Sequence, residues 1–238
     1  MARLTRQQLK KDDFATGFAA ISGFFLQNQK RIVQMAGGGL IVAAVAVAIF
    51  LYVSSRENSA SGAFGAALTT FHAPVSQGEP QGPNAPAQRF KTDKEKYEQA
   101  LKEFNDVSSS YSWFAQGKLA GYYSALCQRE LGNLPEAEKE LTPLAAEGNA
   151  ELAAQAKMAL AGLYQQTGRA DQAEKLYREL ESHPTDTVPK AIPQLALAEM
   201  FEKTKPAEAT TLYQQIQKEN SGKAAGDLAS KALQGPGQ

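Results

Sequence analysis

The rhythm of apolar positions changes along the chain, and each change predicts a different element. Phe14, Phe18, Ile21 and Phe25 recur at helical spacing, which predicts a short amphipathic helix able to lie in a membrane interface or dock a partner. Residues 32–53 then run without a charged side chain, and eleven of the 22 are Ile, Leu, Val or Phe. At about 1.5 Å per residue such a helix is about 33 Å long, enough for a hydrocarbon core of ~30 Å. A core helix this long would ordinarily carry a polar stripe. A cleaved signal peptide would have an apolar region of about 7–15 residues after a short basic start. Here about thirty residues precede the run, so an uncleaved transmembrane anchor is expected over 32–53.

Beyond the span, polar and apolar residues alternate with helical period and the pattern repeats. LGNLPEAEKELTPL, TGRADQAEKLYREL and TKPAEATTLYQQI align so that Ala137, Ala173 and Ala209 fall 36 residues apart. Leu141, Tyr177 and Tyr213 keep the same spacing, as do Leu144, Leu180 and Ile216. Each of these helical stretches follows a turn, and before each turn lies another helical pattern, with Ala125 and Ala161 also 36 apart. The unit is therefore helix, turn, helix. Gly132 and Gly168 stand where a first helix would end in the left-handed conformation; Lys205 takes that place in the last unit. An earlier unit is expected from Ala100, Phe104 and Val107, with its partner helix near residues 60–73 and an irregular Pro- and Gly-rich loop over 74–89. GKAAGDLASKAL predicts a closing helix over the last repeat.

ALAGLYQQTGRADQAEKLYREL, with Ala161, Tyr164, Gly168, Ala173 and Tyr177, resembles the tetratricopeptide repeat. The predicted fold class is thus all-α, a tetratricopeptide-like solenoid of helical hairpins with one N-terminal transmembrane helix. Domain limits follow: a cytoplasmic head at 1–31, the span at 32–53, and a repeat domain at 57–233 with about four hairpins. Joined to a single anchor, the chain resembles the bacterial ancillary subunits of the Sec translocon. That resemblance implies a single-pass protein of a bacterial inner membrane, with its repeat domain in the periplasm. The partners it implies are translocon subunits and a periplasmic chaperone or translocating chains.

Charge agrees with this division. The chain has 25 basic and 25 acidic residues, so no overall positive field suggests nucleic acid. Arg3, Arg6, Lys10, Lys11, Lys30 and Arg31 against Asp12 and Asp13 give residues 1–53 a net charge of +4, leaving −4 for the remainder. Lys30 and Arg31 precede the span, which places the N-terminus in the cytoplasm by the positive-inside rule. Pairs such as Gly39 with Ala43 and Ala44 with Ala48 would permit close helix contact in the bilayer.

Candidate chemistry is sparse. Cys127 is the single cysteine and His72 and His183 the only histidines, and no P-loop, HExxH, nucleophile elbow or dinucleotide motif occurs. No catalytic residue, metal, cofactor or small-molecule substrate is therefore expected, although an enzyme assembled in the groove stays among the alternatives. The first helix of each hairpin lines the inner face of such a solenoid. Tyr122, Leu126, Arg129, Met158, Gln165, Glu199 and Glu202 are the expected lining of a peptide groove. Tyr177 and Tyr213 are expected in the core, and Trp113 as a wedge between units rather than a ligand platform. The function expected is a membrane-anchored protein-interaction adaptor, with an envelope-assembly scaffold as the alternative.

Overall fold

The computed structural model describes residues 6–76 and 89–234; for 6–28, 31, 32, 36 and 37 it describes the backbone alone. The chain divides into two units, Met1–Glu57 and Asn58–Gln238. Among the described residues there are nine helices and no strand beyond an isolated bridge between Val75 and Phe90.

In the first unit the backbone is helical from Arg6 as part of helix α1, Arg6–Phe71. The helix passes through Gly38 and Gly39, a composition costing about 1 kcal/mol per glycine relative to alanine in water. Around these glycines Leu40, Ile41, Val42, Ile49, Phe50 and Leu51 are all 58–72% exposed. This stretch is long and apolar enough to cross a membrane, with mean hydropathy 2.4 in its most apolar window. In hydrocarbon the helix is the state that satisfies every backbone polar group internally, so glycine's conformational freedom is of less consequence there. The expected amphipathic face of Phe14, Phe18, Ile21 and Phe25 has a helical backbone, but its side chains lie outside the described residues.

The second unit begins with the last turns of α1 and continues through α2 (Asp93–Ser110), α3 (Ala115–Glu130), α4 (Leu134–Ala145), α5 (Ala150–Gln166), α6 (Ala170–Ser182), α7 (Ala191–Phe201), α8 (Pro206–Glu219) and α9 (Ala224–Gln234). From α2 onward each helix packs on the next. The expected partner helix near 60–73 is the end of α1: Ala67 is buried with Ala100 and Phe104, and Phe64 and Phe71 set their rings within about 6 Å of Phe104 and Tyr123. Residues 77–88 of the expected irregular loop lie outside the described residues, and the Val75–Phe90 bridge joins its flanks.

The 36-residue columns lie on the inward faces, with Leu144 half-buried. Ala137, Ala173 and Ala209 are 0%, 0% and 3% exposed, and Leu141, Tyr177 and Tyr213 are 0%, 2% and 5% exposed. Alanine recurs because a methyl group lets the two helices of a hairpin approach closely. Gly132 and Gly168 have φ of 82° and 77°, the left-handed region where glycine carries no Cβ penalty. The last hairpin turns without glycine: Lys205 has φ −140°, and its ammonium sits 4.3 Å from the Phe201 ring and 2.9 Å from Glu174 Oε2. Gly117 shows a different constraint, since a Cβ there would lie 2.1 Å from the Tyr111 carbonyl oxygen. That approach folds α3 tightly back after α2. The closing helix forms as α9, burying Gly226 and Ala229.

Candidate partner-binding surface

The seven residues expected to line a groove fall into two groups. Tyr122 and Leu126 pack on the cluster of Ala125, Leu141, Leu160 and Leu163, so much of their surface serves the core. Burial, followed by the neighbouring Tyr123, raises the Tyr122 phenol above its ordinary value. Arg129 Nη2 lies 2.8 Å from Glu130 Oε1. Met158 is half-buried against Leu180 and Val188.

The second group surrounds two buried tyrosines. Tyr177 Oη donates to Gln165 Oε1 at 3.1 Å, and Tyr213 Oη donates to Glu202 Oε1 at 2.8 Å. Desolvation, with a smaller contribution from the Glu199 carboxylate, pushes the Tyr177 phenol up to about 12. Burial first, then the hydrogen bond to Glu202, drives the Tyr213 phenol upward as well. Gln165 and Glu202 thus satisfy hydroxyl groups that burial would otherwise leave costly, and Glu199 lies in the same electrostatic neighbourhood.

Successive hairpins are also linked by charge. Glu138 takes both Arg169 Nη1 and Nη2, at 2.8 and 2.7 Å, and Glu174 takes Lys205 Nζ at 2.9 Å. Both carboxyls are held below their ordinary range, chiefly by these hydrogen bonds. A second bridge runs within single hairpins: Lys118 to Glu147 at 2.8 Å, and Lys190 to Glu219 at 3.0 Å. These two bridges are two repeats apart, and the repeat between them has Ala154 and His183 at the corresponding places. A cleft of about 420 Å³ opens there, lined by Ala150, Ala153, Ala154 and His183 among others, and the middle hairpin's own bridge, Lys157 to Glu179 at 2.6 Å, lies on its wall.

A second cleft, of about 380 Å³, lies between the starts of α3 and α5, lined by Trp113, Ala115, Lys118, Leu119, Asn149, Glu151, Leu152 and Gln155. The expected wedge role of Trp113 is overturned: its side chain is 95% exposed. The residue sits in the α2–α3 connection, where the tight return at Gly117 is made by backbone and leaves the indole outside the packed helices. Sequence reasoning missed this cleft because its residues come from two helix starts rather than from one helix face. Trp113 was its one visible signal.

Among the described residues no group of three or more His, Cys, Asp and Glu could hold a metal ion. Burial first, then the Glu130 and Glu140 carboxylates, pushes the buried Cys127 thiol up to about 12, which removes thiolate character at neutral pH.

The fold and its surface define a class: a helical-hairpin array following an apolar helix long enough to cross a membrane. Comparison with family models, with curated proteins and with solved structures gives no match to this chain.

Proposed function

We propose that the chain is a membrane-anchored adaptor, holding a tetratricopeptide-like array on the periplasmic side of a bacterial inner membrane and binding other proteins through it. The observation that carries this reading is the pairing of one exposed apolar helix with a helical-repeat unit whose period coincides with its buried columns. Helices stacked in this way offer an extended surface suited to a peptide or a partner helix. Lys30 and Arg31 ahead of the span support a cytoplasmic N-terminus. The tetratricopeptide resemblance and the single anchor together favour association with the Sec translocon, where the array would meet a periplasmic chaperone or emerging chains. No catalytic role, metal or cofactor is assigned.

In-cell crosslinking of the full chain, followed by mild detergent extraction and mass spectrometry, tests the proposal. Translocon subunits and a periplasmic chaperone are expected above the level seen with an unrelated single-span control. Recovery of another envelope complex without translocon enrichment would overturn the Sec assignment, and recovery of no partner above the control would overturn the adaptor reading.

A further inference from the structure

The cleft beneath Trp113 has chemistry of its own. Trp113 is the only tryptophan in the chain and is 95% exposed, an unusual condition for the side chain with the largest apolar surface. Ala115, Leu119 and Leu152 continue its apolar surface into the cleft. Two charged residues also line it, and both are engaged by other parts of the fold. Lys118 Nζ lies 2.8 Å from Glu147 Oε2. Glu151 accepts from the backbone N–H groups of Asp186 and Thr187, at 3.2 and 2.9 Å, and from Thr187 Oγ1 at 2.6 Å. Their formal charges cancel.

The cleft therefore offers an aromatic and aliphatic floor with no unpaired charge. Its remaining polar groups are neutral. Asn149 Oδ1 caps α5 by accepting from Leu152 N at 3.1 Å, which leaves its NH₂ group to donate. Gln155 carries both a donor and an acceptor. Neutral amides beside an apolar surface match a peptide segment: the amides meet its backbone and the apolar surface takes its side chain. An ionic side chain would have to displace an existing partner of Lys118 or Glu151 to find a countercharge.

We infer that this cleft is a docking site for an uncharged segment of a partner polypeptide, with Trp113 packing against an aromatic or branched aliphatic side chain. The inference rests on the adaptor reading and makes it more specific. It places recognition at the starts of α3 and α5, and it selects for apolar rather than charged sequence. Aromatic anchors of this kind dominate many interfaces.

Trp113 is its own reporter, because its emission moves to shorter wavelength when the indole leaves water. The full chain in detergent micelles is titrated with the blocked peptide acetyl-Gly-Gly-Phe-Gly-Gly-amide, and with counterparts carrying Glu or Arg in place of Phe. The Phe peptide should give a saturable blue shift that salt does not weaken, and the Glu and Arg peptides should give none. Ala115→Glu supplies the control: Ala115 is exposed at the first position of α3, where a carboxylate suits the helix dipole, so folding is retained. Its charge should weaken the Phe peptide roughly tenfold or more. No saturable shift, an equal shift with the charged peptides, or an undiminished shift in Ala115→Glu (peptide dissolving in the micelle) would each overturn the inference. In cells, unchanged crosslinked partners in Ala115→Glu would overturn this site while leaving the adaptor reading intact. Absence of partners from the unaltered chain would instead remove the adaptor reading.

Discussion

The middle hairpin, α5–α6, differs from its neighbours on the surface and resembles them inside. Both neighbours close the end of the hairpin with a lysine–glutamate bridge, Lys118–Glu147 and Lys190–Glu219. The middle one has Ala154 and His183 in those places and a cleft of about 420 Å³ there. Its buried column is unchanged, with Ala173 as fully enclosed as Ala137. Period and packing are thus imposed by the core, while an exposed bridge worth about 0–1 kcal/mol can change place without cost to the fold. The middle hairpin instead carries a lysine–glutamate bridge one turn further in, Lys157–Glu179 at 2.6 Å, on the wall of that cleft.

Substitutions in the shared column should have the largest effects. Leu141 is 0% exposed in the α3–α5 core, so Leu141→Ala should lower stability by about 2–5 kcal/mol in denaturant unfolding. Ala173→Phe inserts a ring where the helices of the middle hairpin touch, at a cost of about 1–3 kcal/mol. Unchanged thermal stability in that variant would break the claim that the three alanines share one environment. The surface difference is sharpened by Ala154→Lys with His183→Glu, which restores the neighbours' bridge. Ala154 is 4% exposed beside Leu180 and Val188, so the lysine stem must run out through the cleft, at a cost of about 1–3 kcal/mol. Severe destabilisation would show that the middle slot is not a diverged copy of the other two.

The smallest expected effect is on pH dependence. The Arg169 hydrogen bond holds the native Glu138 carboxyl below its ordinary value. A depressed native value contributes stability above the unfolded carboxyl value of about 4.3, and that stability is lost as pH falls through the native value. Acidification across this window should therefore lower the Tm of Glu138→Gln less steeply than that of the unaltered chain. Equal slopes would mean that the Arg169–Glu138 link contributes nothing to folding.

Much of the helical architecture was legible because it depends on short-range pattern. The 36-residue columns marked Tyr177 and Tyr213 as core, and Gly132 and Gly168 marked turns whose left-handed backbone favours glycine. The surface was less legible. Gln165 and Glu202 were singled out as groove residues from helix position alone, whereas each also satisfies a tyrosine hydroxyl across its hairpin. Trp113 was misplaced because a large apolar side chain in a loop reads as a wedge. The α2–α3 connection that carries it is shaped by the close approach of Gly117 to the Tyr111 carbonyl, a three-dimensional detail with no periodic trace. The cleft joins Ala115 and Leu119 of α3 to Leu152 and Gln155 of α5, so residues distant in sequence meet only after the hairpins stack.

The most direct test of the adaptor account is site-specific photo-crosslinking of the full chain in cells from two positions in turn. One is Gln155, which lines the Trp113 cleft, and the other is Lys175, exposed on α6 and lining neither cleft. A discrete partner polypeptide is expected from Gln155 and no such product from Lys175. Equal capture from both positions, or capture from neither, would contradict it.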